Sequence, residues 1–182
     1  RTEKGFSRSP REAVPILSRL NKLERQALQA GSKSSSTRIG SRNRSRRLAS
    51  DSSNVLTLSD MTLTGFGTKS EDGGALFLEN YGTINILDVI FTGNKGNRGG
   101  AVYISNATVV YVSGSTFRSN KGVSGAALFL KNVDYVYIED SAFEYNVADA
   151  TGGAVVTEDC LRVVITGSTF EHNIAGYHGG AL

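Results

Sequence analysis

Few residues of this sequence are suited to acid–base, nucleophilic or metal chemistry. His172 and His178 are its two histidines, and Glu171 precedes the first of them. Two imidazoles and a carboxylate are residue types that bind zinc, but solvated loop residues are the commoner reason for such a group. Cys160 is the one cysteine, so the sequence holds no intrachain disulfide and no multi-cysteine zinc site. We predict no catalytic residue, no metal site and no cofactor.

The elements that carry these residues belong to a repeat of 26 or 27 residues. Each repeat opens on Gly-Gly-Ala, or once on Gly-Ala-Ala, and a Phe-x-x-Asn motif follows 18 residues after the first glycine in four of them. The repeats open at Gly73, Gly99, Gly125, Gly152 and Gly179. All variation in length falls after the asparagine. A rigid unit with one variable loop is typical of a stacked repeat architecture.

Within each repeat, aliphatic residues alternate with period two in short runs, for example Leu76 and Leu78, then Ile84 and Ile86. Period two and the many β-branched residues indicate strands. The same residue type returns at the same phase of every repeat, which predicts a parallel solenoid whose coils stack on one another. The solenoid is expected over residues 55–182, and its first coil carries Leu63 and Phe66 in place of the repeated Phe and Asn.

The residues that recur in phase are expected to form two internal ladders. The phenylalanines should stack inside the solenoid, and the asparagine amides should bond to the coils above and below. The ladder residues are Phe91, Phe117, Phe143, Phe170, Asn94, Asn120, Asn146 and Asn173. Ala75, Ala101, Ala127 and Ala154 are expected to fill a narrow corner.

Gly-Gly-Ala-aliphatic together with Phe-x-x-Asn resembles the repeat of the chlamydial polymorphic outer membrane proteins. The resemblance covers residues 55–182, with four phased copies of each motif. It implies an all-β fold, a right-handed parallel β-helix. It also implies a protein exposed at the cell surface or secreted, associated with the outer membrane if bacterial, whose usual role is adhesion.

Some β-helical proteins are polysaccharide lyases, hydrolases or epimerases, which need acids and a base on one strip of successive coils. Asp88 and Asp140 share a phase, but Gly114 and Gly167 hold it in the alternate coils. Glu79, Ser105, Lys131 and Glu158 share another phase, which is typical of a solvated face. A β-helical polysaccharide-modifying enzyme, with its active site in further coils, stays the alternative function.

Two rows of residues are expected to point outward, because they alternate with the inward aliphatic positions. One row is Phe77, Tyr103 and Phe129, completed by Val156, and the other is Asn85, Tyr111, Tyr137 and Val164. Rings stacked at the coil spacing of about 4.8 Å would offer a flat platform to a polysaccharide or a cell-surface protein. We therefore predict ligand binding at the five aromatic residues, against the alternative that they pack on the loops of missing coils or on a neighbouring domain.

The charge is divided unevenly along the chain. Residues 1–50 hold 13 Lys/Arg and 3 Asp/Glu, and residues 51–182 hold 7 and 14, so the two parts carry +10 and −7. Residues 1–31 are expected to form a basic amphipathic helix that serves as a cap, a binding arm or a removable leader. Residues 32–54 are Ser/Arg-rich and are expected to form a disordered linker. This linker contains no aromatic residue to stack on bases, which argues against nucleic-acid binding.

Two further expectations concern processing and location. Asn43 matches the N-glycosylation pattern in an accessible stretch, whereas Asn106 matches it at a ladder position expected to be buried. No run reaches the roughly 18 apolar residues of a membrane span. The sequence begins at Arg1 and stops on a repeat opening, so we expect a fragment that is truncated at its C-terminal end.

Overall fold

The computed structural model describes residues 55–182. The helix expected at 1–31, the linker expected at 32–54 and the glycosylation candidate Asn43 lie outside the described residues. Within residues 55–182 the fold is all-β, as the sequence predicts, and no helix is present. No segment of this part of the chain therefore offers a helix that could cross a membrane.

Every strand pairs in parallel with a strand that lies one coil before it or after it in the chain. The partners lie 26 to 28 residues apart, as in Val55 with Thr83, Thr83 with Val109, and Tyr135 with Arg162. The strands are β1 Val55–Thr64, β2 Leu76–Thr92, β3 Val102–Ser113, β4 Thr116–Arg118, β5 Lys121–Ser124, β6 Leu128–Glu139, β7 Ala142–Glu144, β8 Val147–Thr151, β9 Val155–Glu158, β10 Arg162–Thr166, β11 Thr169–Glu171 and β12 Ile174–Ala175. Together they make a parallel β-solenoid of about five turns.

Each coil turns at residues with left-handed backbone conformation, and these residues recur one coil apart. One corner row is Asn80, Asn106, Asn132 and Asp159, and another is Asp60, Asp88, Gly114, Asp140 and Gly167. Glycine, asparagine and aspartate adopt this conformation at least cost. The sequence therefore fixes where each coil bends, and the bends fix which strand segments stack into each side of the solenoid.

The phenylalanine ladder forms the centre of the core. Phe91, Phe117 and Phe143 are completely buried, and successive rings, including that of Phe170, lie 4.7 Å apart between centroids. Parallel rings at this separation are offset-stacked. The predicted aromatic ladder is confirmed.

The asparagine ladder joins the coils through hydrogen bonds that side chains make to the backbone. The Nδ2 atom of Asn120 donates to the carbonyl oxygen of Phe91 at 3.1 Å and to Oδ1 of Asn146 at 3.0 Å. Its Oδ1 accepts the backbone N–H of Asn94 at 3.0 Å. In the first coil Phe66 stands at the ladder position and donates its N–H to Asn94. The predicted ladder and its atypical first coil are both confirmed.

Candidate functional site

The first outward row is stacked and is closed to solvent at Tyr103 and Phe129, whereas Phe77 is half-buried. Phe77 and Tyr103 have ring centroids 5.0 Å apart, and Tyr103 and Phe129 have centroids 5.7 Å apart. Only 4% of Tyr103 and 5% of Phe129 are exposed. The expectation of an open platform is therefore wrong for this row, although the side chains do lie in register as predicted.

Arg98 lies over this buried row. Its guanidinium carbon is 4.9 Å from the ring centroid of Tyr103 and 5.7 Å from that of Phe129, which is cation–π range. Nη2 of Arg98 is also 2.6 Å from Oδ2 of Asp72. Burial alone would raise the pKa of Asp72, but the hydrogen bonds and charge of Arg98 outweigh it and hold that pKa below its ordinary value. The row thus joins a polar network that holds the loop before β2 in place.

The second outward row stays open. Tyr111 and Tyr137 are half-buried, and their rings lie 5.0 Å apart between centroids with 13° between their planes. Burial, together with nearby Tyr137 and Glu139, raises the pKa of Tyr111. Two parallel rings this close must face each other, because rings lying edge to edge need a wider separation. The two rings are stacked as predicted. Because each ring covers one face of the other, however, they do not form a flat platform.

Tyr135 is a third tyrosine on the same side of the solenoid, and the sequence reasoning missed it. It precedes Tyr137 by two residues on β6, so both side chains point to the same side of the strand. It is 42% exposed. Its register partners are Val109 and Arg162. The residues at this position in the neighbouring coils are therefore not aromatic. Only the alternation of residues within β6 could have identified Tyr135 from the sequence.

We name this side the tyrosine face. It consists of the stacked segments 55–59, 83–87, 109–113, 135–139 and 162–166. Next to the tyrosines, Nδ2 of Asn85 donates to Oγ1 of Thr57 at 3.0 Å. The face thus combines aromatic rings, hydroxyl groups and an amide on strands that the core holds rigid.

Within residues 55–182, neither of the two phases that carry several carboxylates forms a continuous strip of them along the coils. The carboxylate of Asp88 lies where a Cβ at Gly114 would be, and that of Asp140 lies where a Cβ at Gly167 would be. Gly114 and Gly167 thus leave room for the carboxylates of Asp88 and Asp140, each of which leans over the next coil. On another side Ser105 donates to Glu79 at 3.2 Å, and Lys131 donates to Glu158 at 3.0 Å.

The remaining reactive residues take structural positions. The ring of His172 stacks on Tyr145 with centroids 4.8 Å apart. Within residues 55–182, His, Cys, Asp and Glu side chains form no group of three or more that could hold a metal. Cys160 packs against the core, and burial raises the pKa of its thiol. A raised pKa leaves less of the nucleophilic thiolate at neutral pH.

Asn106 is more accessible than the sequence suggested. Its residue is exposed, and its amide bonds to Asn80 at 3.3 Å and to Asn132 at 3.1 Å along the corner row. The expectation that stacking buries it is wrong, because this row runs along the outside of a corner.

Comparison with known proteins gives one match. The family model described as right handed beta helix region matches residues 48–181. No curated protein sequence and no solved structure matches the chain. The parallel register of the strands, the internal ladders and this match agree with one another. The chain therefore belongs to the right-handed β-helix family.

Proposed function

We propose that this protein is a non-catalytic β-helix protein, secreted or exposed at the cell surface, with an adhesive role. Its ligand is held by the tyrosine face. The observation that carries the proposal is the grouping of Tyr111, Tyr135 and Tyr137 on two neighbouring strands, all three at least partly open to solvent. The resemblance of the repeat to the chlamydial polymorphic outer membrane proteins supports the surface location and the adhesive role.

The chemistry of the tyrosine face suits a binding surface. Tyrosine offers an apolar ring and a hydroxyl on one side chain, so it contacts ligands that are themselves partly polar. These tyrosines stand on paired strands above a completely buried core that includes Val110, Val136 and Ile138. A rigid scaffold of this kind lowers the entropy lost when a ligand binds.

A polysaccharide is the ligand class that the arrangement favours. Tyr111 and Tyr137 hold one position on successive coils, about 4.8 Å apart, so two neighbouring units of a polymer can meet the same kind of side chain. Contacts of this kind to successive units add up through multivalency. A folded protein partner offers no such repetition.

The test is binding of the full chain to an array of polysaccharides, with the same spots assayed for depolymerisation. We expect saturable binding without product. Replacing both Tyr111 and Tyr137 with Ser should weaken that binding by roughly tenfold or more, as loss of central aromatic contacts does elsewhere. The matched control replaces Tyr145 and Tyr177, which are 46% and 78% exposed away from this face, and should bind normally.

Three results would contradict the proposal. Unchanged binding by the Tyr111→Ser/Tyr137→Ser variant, with its native circular dichroism retained, would remove the tyrosine face from the function. Release of product would favour the alternative, a polysaccharide-modifying enzyme. Binding to no polysaccharide would leave a protein partner or a purely structural role.

A further inference from the structure

Charge is distributed unevenly around the solenoid. Residues 55–182 contain thirteen Asp and Glu against seven Lys and Arg. Six of the acids lie on the tyrosine face or beside it at the adjoining corners, whereas Arg162 is the one base among those positions. The six acids are Asp60, Asp88, Asp134, Glu139, Asp140 and Asp159. The side of the molecule that holds the open tyrosines is therefore strongly negative.

Four of the seven bases in residues 55–182 form ion pairs elsewhere, and Arg162 is the one base on the tyrosine face. The four ion pairs formed among the described residues join Lys69 to Asp149, Arg98 to Asp72, Arg118 to Glu144 and Lys131 to Glu158. None of these eight residues belongs to the tyrosine face. The four cations of these ion pairs therefore do not neutralise the acids of the tyrosine face.

Two of the acids lie next to the tyrosines themselves. Glu139 follows Tyr137 by two residues on β6, so its side chain points to the same side of the strand. It also lies near enough to Tyr111 to affect that phenol's ionisation. Asp134 immediately precedes Tyr135 and is exposed. A ligand that rests on the three tyrosines would therefore lie within about one Debye length, roughly 10 Å, of both carboxylates.

We infer that the tyrosine face takes a polysaccharide of amino sugars whose free amino groups are protonated. This inference rests on the proposed function, because the tyrosines make the site and the carboxylates only select the sign of the ligand's charge. Protonated amines gain Coulomb attraction to Glu139 and Asp134 and can donate hydrogen bonds to the tyrosine hydroxyl oxygens. A polyuronate would bring its carboxylates against these acids, and a neutral polymer would gain nothing from them.

The experiment compares three oligosaccharides of equal length and β-linkage, built from glucosamine, N-acetylglucosamine or glucuronate. Binding to the full chain is measured by calorimetry at about pH 5.5, above the usual carboxyl pKa values of about 4. Three variants are compared with the wild type. They are Tyr111→Ser/Tyr137→Ser, Asp134→Asn/Glu139→Gln and the matched control Glu144→Gln/Glu171→Gln, which removes the same charge from another side.

We expect the glucosamine oligomer to bind most tightly and the glucuronate oligomer least. Asp134→Asn/Glu139→Gln should weaken glucosamine binding by roughly threefold to tenfold, the scale of two partly exposed charge contacts. The control should stay close to wild type. Added salt should reduce the preference for glucosamine, because it screens exposed charges.

The failures of the two proposals are distinguishable. Equal or tighter binding of the N-acetylated or uronate oligomer, still lost in the tyrosine variant, overturns the charge inference and leaves the tyrosine face as the binding site. Equal weakening by the control variant also overturns the inference, because the attraction would then be non-specific. Binding of any oligomer that is unaffected by the tyrosine variant overturns both proposals.

Discussion

Asparagine at the ladder position completes hydrogen bonds that the backbone cannot make by itself. Asn94, Asn120 and Asn146 are completely buried, and each amide serves the backbone of neighbouring coils. An amide can do this because it carries a donor and an acceptor on one short side chain. A buried backbone group without a partner costs about 1–3 kcal/mol.

Replacing Asn120 with Ala is expected to lower the free energy of unfolding by about 3–5 kcal/mol. The change strands the carbonyl of Phe91 and the N–H of Asn94, which Asn120 now satisfies, and it leaves a small cavity. Urea unfolding monitored by circular dichroism measures the loss.

Asn132→Gly provides the control for this prediction. Asn132 is exposed, and its backbone φ of 52° is one that glycine adopts freely. This substitution should lower the free energy of unfolding by less than about 1 kcal/mol. Similar losses at Asn120 and Asn132 would show that burial of the ladder amide does not determine its contribution.

At the scale of the elements, glycine at the coil openings allows neighbouring coils to approach. A Cβ on Gly100 would overlap the backbone carbonyl oxygens of Ala126 and Lys121. Backbone atoms of paired coils cannot move apart without breaking the ladder of hydrogen bonds. Close packing between coils therefore demands glycine at Gly74, Gly100 and Gly153, whereas the third repeat carries Ala126 at this position.

We predict that Gly100→Ala destabilises the fold by about 3 kcal/mol or more, or prevents folding. The matched change Gly93→Ala should cost only about 1–2 kcal/mol, the strain of a left-handed residue, because nothing lies within 4 Å of the added carbon. Thermal unfolding and soluble yield of the two variants give the comparison. The packing argument fails if both variants unfold at the same temperature.

At the scale of the whole molecule, the burial of side chains decreases toward the last coil. Val136 is completely buried, whereas its partner one coil later, Val163, is 38% exposed. Ile174 in β12 is 59% exposed. Segments of the 182-residue chain whose side chains are partly exposed open at lower free energy than completely buried ones.

Hydrogen exchange should therefore be slowest in β3 and β6 and fastest in β10, β11 and β12, although the last three strands are also paired. Mass spectrometry of peptides from these strands in the native chain measures the exchange rates. We expect the rates to differ by roughly tenfold or more, the ratio that 1.4 kcal/mol produces. Uniform exchange along the solenoid would instead indicate one cooperative unit.

The sequence by itself determined the coil. The spacing between Gly73 and Phe91 is repeated in later coils. It shows which residues hold equivalent positions in successive coils. Alternation then assigns each residue to the inside or the outside. Because a parallel register places like residues one above another, the Phe and Asn ladders follow from the repeat without any knowledge of the coordinates.

Only the tertiary structure decided which outward row is open. Tyr103 and Tyr111 belong to rows with the same alternation, yet Tyr103 is buried beneath Arg98 and Tyr111 is partly exposed. Period-two patterning states which side of a strand a residue occupies, but it carries no information about what else packs on that side. The covering contact comes from a loop paired with Asp72, and the negative charge beside Tyr111 comes from Glu139 on the next coil. Both depend on how successive coils stack in space.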